Sequence, residues 1–125
     1  MTFDQLKEIA LAKLNPRQIA KDCYVASVAS ALLTEKGNVY VGVCIDTPSG
    51  MGFCAEHSAI AQMITNEESR IVKIVAVGKE GKILSPCGRC REFIYQINNE
   101  NLDAEILVDN NKVVKLYELL PYRNN

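Results

Sequence analysis

The sequence predicts an α/β fold, a three-layer α/β/α sandwich whose mixed five-stranded sheet ends in an antiparallel hairpin. Apolar residues recur at helical spacing in three segments, residues 3–14, 54–65 and 88–98. Apolar and β-branched runs of strand length lie between and after them, at residues 24–33, 39–45, 70–78, 105–108 and 112–116. Because helices and strands alternate along the chain, layered packing around one sheet is favoured, and the length predicts a single domain over residues 1–125.

Local signals place the ends of these elements. Thr2 is a good cap for the first helix, and Pro16 stops it, since proline disfavours helix in the preceding residue. We expect residues 17–22 to be a polar link. The turn at residues 35–38 predicts a hairpin between the first two strands, and the turn at residues 109–111 makes the last two strands antiparallel.

Composition limits the classes of function. The formal net charge is −1 and no basic run occurs, so a nucleic-acid partner is not favoured. No apolar stretch approaches the ~20 residues of a membrane helix, so we expect no membrane partner and a cytoplasmic location. The five cysteines are odd in number, and in a reducing compartment they indicate metal binding or catalysis before disulfides.

Reactive side chains are concentrated in two short stretches, Cys-Ala-Glu at residues 54–56 and Pro-Cys-Gly-Arg-Cys at residues 86–90. Each stretch begins a predicted helix, where N–H groups and the helix dipole lower thiol pKa values. Catalytic zinc sites use three protein ligands and leave one position open. We therefore predict that Cys54, Cys87 and Cys90 bind one catalytic Zn²⁺.

The predicted metal site needs help with charge and with protons. Three thiolates leave the site with net negative charge, so water there is polarised less than in a site of neutral imidazoles. Arg91, next after Cys90, is expected to donate to a thiolate sulfur. Glu56 is expected to take a proton from the activated water and to pass protons to a ring nitrogen and to departing ammonia. This pattern predicts a hydrolase that removes an exocyclic amine.

Cys-Ala-Glu followed by Pro-Cys-Gly-Arg-Cys-Arg resembles the cytidine deaminase superfamily, and the resemblance covers residues 24–121. It is nearest to the branch that acts on free nucleosides, which includes cytidine deaminases and blasticidin S deaminases. The resemblance implies Zn²⁺ as cofactor and a small cytosine-containing substrate: cytidine, deoxycytidine or, as an alternative, blasticidin S. It also implies a homotetramer in which neighbouring subunits complete each site.

The chain departs from this family where a sugar would be recognised. Cytidine deaminases usually carry Asn-x-Glu on the strand before the Cys-Ala-Glu helix, and here Cys44 and Asp46 match those positions. Asp46 can still accept from a hydroxyl, whereas Cys44 lacks the donors of an amide. With Ser27, these are the predicted substrate contacts. His57 stands where many relatives have Arg, and it is a candidate for balancing the thiolate charge.

Plainer interpretations stay open for each of these residues. The cysteines also suit a structural zinc site or a redox Cys-x-x-Cys pair, either of which would make the chain a non-catalytic zinc or thiol-redox module. His57 can be a packed, hydrogen-bonded side chain, and Cys44 a buried small hydrophobe. Asp46 can cap a loop, and Ser27 can be an ordinary strand residue.

Overall fold

Residues 1–124 are described by a computed structural model, in which helices lie on both faces of one mixed sheet. The helices are α1 (Phe3–Leu11), α2 (Ala55–Thr65) and α3 (Gly88–Ile97). The strands are β1 (Arg17–Ala20), β2 (Cys23–Thr34), β3 (Val39–Asp46), β4 (Ile71–Val77), β5 (Glu105–Asp109) and β6 (Lys112–Lys115). Short 3₁₀ helices span Lys79–Gly81, Asn99–Asp103 and Leu116–Leu119.

The main sheet has the strand order β3-β2-β4-β5-β6. Only the β4–β5 pair is parallel among the pairs of the described residues, so the sheet is mixed. The predicted α/β sandwich and its antiparallel terminal hairpin are therefore confirmed. Within residues 1–124, no helix is long and apolar enough to cross a membrane.

The sheet has six strands instead of the predicted five. The added strand is β1, which lies in the segment predicted to be a polar link and pairs with the start of β2. All four residues of β1 are exposed, and only Ile19 and Ala20 among them are apolar. The burial that gives a strand its period-2 pattern is missing here. Backbone pairing with β2 holds this strand, together with local hydrogen bonds from the side chains of Arg17 and Gln18.

Each face of the sheet packs against its own helices. Leu32 of β2 and Ile74 of β4 belong to a core shared with α2 and α3. Their neighbours in the chain, Ala31 and Val75, belong to the core on the opposite face, which is shared with α1. Alternation of side chains along a strand produces this division. The two cysteine stretches lie at the starts of α2 and α3, so they share the first of these faces.

The predicted cap of α1 is present. Thr2 accepts a hydrogen bond from the Gln5 backbone at 3.2 Å, and the Gln5 side chain accepts from the Thr2 backbone at 2.9 Å. This reciprocal pair is a capping box. The helix ends at Leu11, earlier than the predicted residue 14, and turn-type hydrogen bonds lead on to Leu14.

A bulge interrupts β2 next to the pocket that contains the candidate site. The pairing register with β3 shifts between Val25 and Ala29, and buried Ala26 has φ of 64°. A positive φ is uncommon for alanine, so tertiary packing must hold it. The irregularity carries Ser27 and Val28 into the wall of the pocket.

Helix α2 approaches β3 closely at Gly42. A Cβ added there would overlap backbone atoms of Ser58 and Ala59 in α2. Glycine therefore sets the distance between this helix and the sheet, and with it the position of the residues that begin α2.

Candidate metal and substrate site

The N-termini of α2 and α3 meet at the site. Cys54 and Cys87 are the N-cap residues of these helices, both with extended backbone. Cys54 is held by a short bridge, because the backbones of Ile45 and Phe53 exchange hydrogen bonds of 3.0 and 2.9 Å. The strand β3 thus fixes where α2 begins.

The three predicted ligand sulfurs lie together. Sγ of Cys54 lies 3.5 Å from Sγ of Cys87, which lies 3.4 Å from Sγ of Cys90, and all three are within 4.8 Å of one another. A tetrahedral ion with Zn–S bonds of about 2.3 Å spaces its sulfurs by about 3.8 Å. The donor set and its spacing therefore fit a thiolate-preferring metal ion. Among the Cys, His, Asp and Glu side chains of the described residues, these three cysteines are the group close enough together to hold a metal ion.

The three thiols differ in how readily they ionise. Burial opposes ionisation of Cys87, but backbone N–H groups of Cys90 and Arg89 and the neighbouring thiols lower its pKa overall. Burial raises the pKa of Cys54 and that of Cys90, which is fully buried. A cation bound between the sulfurs would offset these burial costs, because coordinating thiols are deprotonated.

Glu56 lies in the first turn of α2 and lines the same pocket as Cys54 and Cys87. It is only 6% exposed, and burial raises the pKa of its carboxyl. The carboxyl is separate from the group of sulfurs that could hold the ion. A raised pKa brings a carboxylate closer to the range in which it can both accept and return a proton.

His57 touches the metal site directly. Its Nδ1 lies 3.4 Å from Sγ of Cys90, and its ring stacks on Phe93 with centroids 4.4 Å apart. Burial, and then the charge of Arg89, lower the pKa of His57. A neutral imidazole can still donate a hydrogen bond to a sulfur. The packed, hydrogen-bonded interpretation thus describes its setting, and charge balance stays a prediction.

Arg91 does not make the sulfur contact that was predicted for it. Its hydrogen bonds within residues 1–124 go to oxygen: Nε donates to Pro86 O at 2.8 Å, and the other nitrogens donate to Ser85 Oγ and Leu119 O. The missing contact follows from helix geometry, because consecutive helical residues point in different directions. Arg91 fastens the loop that leads into Cys87, and its part in balancing the thiolate charge stays a prediction.

A cavity of about 440 Å³ opens beside the thiols and Glu56. Its size is that of a small-molecule site. Residues that the sequence reasoning did not single out also line it, namely Val28, Ile45, Thr47, Gly50, Gly52, Phe53, Ala55, Ala76, Leu84, Ser85 and Arg89. For Arg89 a signal existed, since it lies between the two cysteines of Cys-x-x-Cys.

All three predicted substrate contacts line this cavity. Cys44 is buried, Ser27 is half-buried, and Asp46 is exposed at the end of β3. Ser27 Oγ lies 3.2 Å from Cys44 Sγ, which in turn faces Asp46 Oδ2 at 3.7 Å. The structure thus brings them together as one wall.

Comparison with known proteins agrees with this geometry. Residues 4–104 match the family model described as the cytidine and deoxycytidylate deaminase zinc-binding region. The chain belongs to this deaminase family. The match includes both cysteine stretches and the whole of α2 and α3.

Individual relatives support the assignment over most of the chain. A cytidine deaminase of Mycobacterium tuberculosis is 30% identical over 86% of this chain and 82% of its own length. A blasticidin-S deaminase of Bacillus cereus is 32% identical over 77% of this chain and 75% of its own length. The crystal structure of cytidine deaminase from Mycobacterium leprae superposes with a TM-score of 0.81 at 27% identity, covering 97% of this chain and 98% of that one.

Proposed function

We propose that this protein is a zinc-dependent aminohydrolase that converts a free cytosine nucleoside, cytidine or deoxycytidine, into the uracil nucleoside and ammonia. One observation carries the proposal: a buried glutamate and the metal-binding thiols border one small-molecule cavity, through Glu56, Cys54 and Cys87. Family membership supplies the reaction class.

The residues divide the work of the reaction. Cys54, Cys87 and Cys90 would hold Zn²⁺, which, when bound, acts as a Lewis acid that makes water nucleophilic near neutral pH. Glu56 accepts the first proton of the attacking water as the new C–O bond forms, and it delivers that proton to the ring nitrogen. It then accepts the second proton, from the new hydroxyl on the ring carbon, and delivers it to the amino group. The C–N bond breaks as the C=O bond forms, and ammonia departs.

The surroundings of Glu56 suit this role. Its burial favours the protonated form that must deliver protons to the substrate, and the carboxyl is free to do so because thiols fill the metal-binding positions. His57 supports the thiols by its contact with Cys90. Ser27, Cys44 and Asp46 form the wall that faces the sugar.

The test is deamination by the purified, zinc-analysed protein. Cytidine, deoxycytidine, cytosine and blasticidin S are each incubated with it, and loss of cytosine absorbance is matched to released ammonia. We expect about one zinc per chain and turnover of a cytosine nucleoside. Bound metal without deamination of any of these compounds would overturn the proposal in favour of a non-catalytic zinc or thiol-redox module.

Blasticidin S is the second candidate substrate. The observation that favours it is the 32% identity to a protein named blasticidin-S deaminase, together with Cys44 in the wall where an amide is usual for nucleoside deaminases. Faster turnover of blasticidin S than of cytidine in the same assay would select it.

We further propose a single deaminase domain that works as a homotetramer in the cytoplasm. Support for an assembly comes from exposed apolar side chains such as Tyr24, which pairs across the sheet with Asp46, and Met51, which lies in the chain between Gly50 and Gly52 of the cavity lining. Support for a reducing compartment comes from the unpaired cysteines, since all five are free thiols. Light scattering of the purified protein checks the first point.

A further inference from the structure

The half-buried guanidinium of Arg91 lies where α3, the stretch before Cys87 and the last 3₁₀ helix meet. Its three nitrogens reach three different acceptors. Nε donates to Pro86 O at 2.8 Å, Nη2 to Ser85 Oγ at 3.3 Å, and Nη1 to Leu119 O at 3.5 Å. All three acceptors are neutral oxygen atoms, so these bonds join segments of the chain and do not pair charges.

The chain between β4 and α3 depends on Arg91 where it approaches the site. Upstream, the Leu84 N–H donates to Ala76 O of β4 at 3.0 Å. Pro86 has no N–H, so its carbonyl oxygen is the only backbone group by which that residue can be held. In the described part of the chain, the hydrogen bonds to Pro86 O and Ser85 Oγ both come from Arg91. The arginine therefore anchors the chain between its tie to β4 and the start of α3.

This anchored segment, residues 84–87, borders both the cavity and the catalytic carboxylate. Leu84, Ser85 and Cys87 line the cavity together with Glu56. Leu84 and Pro86 also border a small internal void that Glu56 reaches. A shift of the segment would therefore move a metal-binding thiol and change the packing around the glutamate at the same time.

The sulfur of Cys87 takes its position from the backbone. Cys87 is exposed, and its side chain makes no capping hydrogen bond at the start of α3. The Arg91 N–H donates to Cys87 O at 3.0 Å, and the Arg91 side chain holds the carbonyl of Pro86 just before it. These two bonds fix the peptide units on either side of the Cys87 Cα. They thereby set the direction of the sulfur toward Cys54 and Cys90, whose sulfurs lie 3.5 and 3.4 Å away.

We propose that Arg91 is a positioning residue for the metal site, and that it acts through the planar fork of its guanidinium and not through its charge. A rigid guanidinium can hold three acceptors in fixed directions, whereas the single ammonium of a lysine on a flexible stem cannot. The proposal rests on the proposed function in one respect, because it takes the metal held by the thiols to be the catalytic zinc.

Metal binding tests the proposal without turnover. Zinc affinity is measured by chelator competition on the zinc-loaded protein, and the visible spectrum of the cobalt-substituted protein reports the arrangement of its sulfur ligands. Arg91→Lys keeps the charge and loses the fork, whereas Arg91→Gln loses both. We expect both variants to bind zinc about 10- to 100-fold more weakly than the parent and to shift the cobalt bands.

Two further variants complete the comparison. Arg17→Lys is the matched control, because Nη1 of Arg17 also donates to a backbone carbonyl, that of Asn15, but Arg17 lies in exposed β1 and outside the cavity lining. It should keep the parental zinc affinity and cobalt spectrum. Ser85→Ala removes one acceptor of Arg91 and leaves the charge in place, so zinc should bind about two- to fivefold more weakly.

The outcomes are distinguishable. Parental zinc affinity and cobalt spectrum in Arg91→Lys overturn the proposal, in favour of charge balance if Arg91→Gln loses zinc. An equal loss in Arg17→Lys overturns it as well. If the Arg91 variants do not fold, Ser85→Ala decides, and parental zinc affinity there overturns the proposal. Cytidine deamination is measured on the same parent preparation: no turnover with these metal-binding effects intact refutes the proposed function alone, and turnover with unchanged metal binding in the variants refutes this proposal alone.

Discussion

Replacing Gly42 by alanine should push α2 away from the sheet, and this should both destabilise the fold and weaken metal binding at the start of α2. The added methyl would overlap backbone atoms of Ser58 and Ala59, which cannot rotate away as a side-chain tip would. Overpacking of this kind costs about 1–3 kcal/mol, and the upper part of that range applies where backbone is struck. Alanine offsets part of this cost, because it lowers the conformational entropy of the unfolded chain. The net loss in the free energy of unfolding is about 2 kcal/mol.

For a chain of this length, that loss lowers the midpoint of thermal unfolding by about 6–10 °C. Circular dichroism on the zinc-loaded protein measures it, and zinc content after dialysis reports the shift of Cys54 and Glu56 at the start of the helix. Gly88→Ala is the matched control, because its Cβ meets nothing within 4 Å and alanine favours the first turn of α3. A Gly42→Ala protein that unfolds within about 2 °C of the parent, with full zinc, would refute this account of how α2 is positioned.

Three further predictions concern the buried polar groups. The nearby Thr34 hydroxyl and the hydrogen bonds from Tyr40 and Asn38 lower the pKa of Glu68. The stabilising effect of Glu68 should therefore be present above the ordinary glutamate pKa of 4.5 and lost as pH falls through the lowered value. In thermal scans, Glu68→Gln should unfold earlier than the parent at neutral pH but equally at low pH. Asn101→Leu should cost about 3–4 kcal/mol in urea unfolding, because the fully buried amide accepts from the Ile71 N–H and donates to two backbone carbonyls; a loss below about 1 kcal/mol would contradict this. His57→Phe keeps a ring to stack on Phe93 but removes the contact with Cys90, so zinc should bind about 10- to 100-fold more weakly in chelator competition, and unchanged affinity would rule out the supporting role.

The clustering of the three thiols could be predicted from sequence because their chemistry is local. Cys54 and Cys87 sit at helix starts that the apolar pattern marks, and the one-turn spacing of Cys-x-x-Cys brings Cys87 and Cys90 within reach of one ion. Glu56 follows Cys54 by only two residues, so it also lies next to the site. The roles of Arg91 and His57 were harder, because which way a helical side chain points depends on what packs around the helix.

Features held by tertiary contacts left no such signal. The strand β1 is exposed throughout, so no apolar alternation announces it. The bulge at Ala26 requires a positive φ that alanine does not favour by itself, yet this bulge carries Ser27 into the wall. Arg89 lines the cavity because of how α3 packs in the fold. The sequence shows only that it lies between the two cysteines of Cys-x-x-Cys.

The central claim is that Glu56 moves protons beside a metal that it does not bind. The most direct measurement is zinc content and cytidine turnover of Glu56→Gln, which keeps the shape of the side chain but cannot act as a base. The account predicts parental zinc content and a rate lower by at least about 10²- to 10⁴-fold. Turnover within a few-fold of the parent, or loss of zinc from the folded variant, would contradict it.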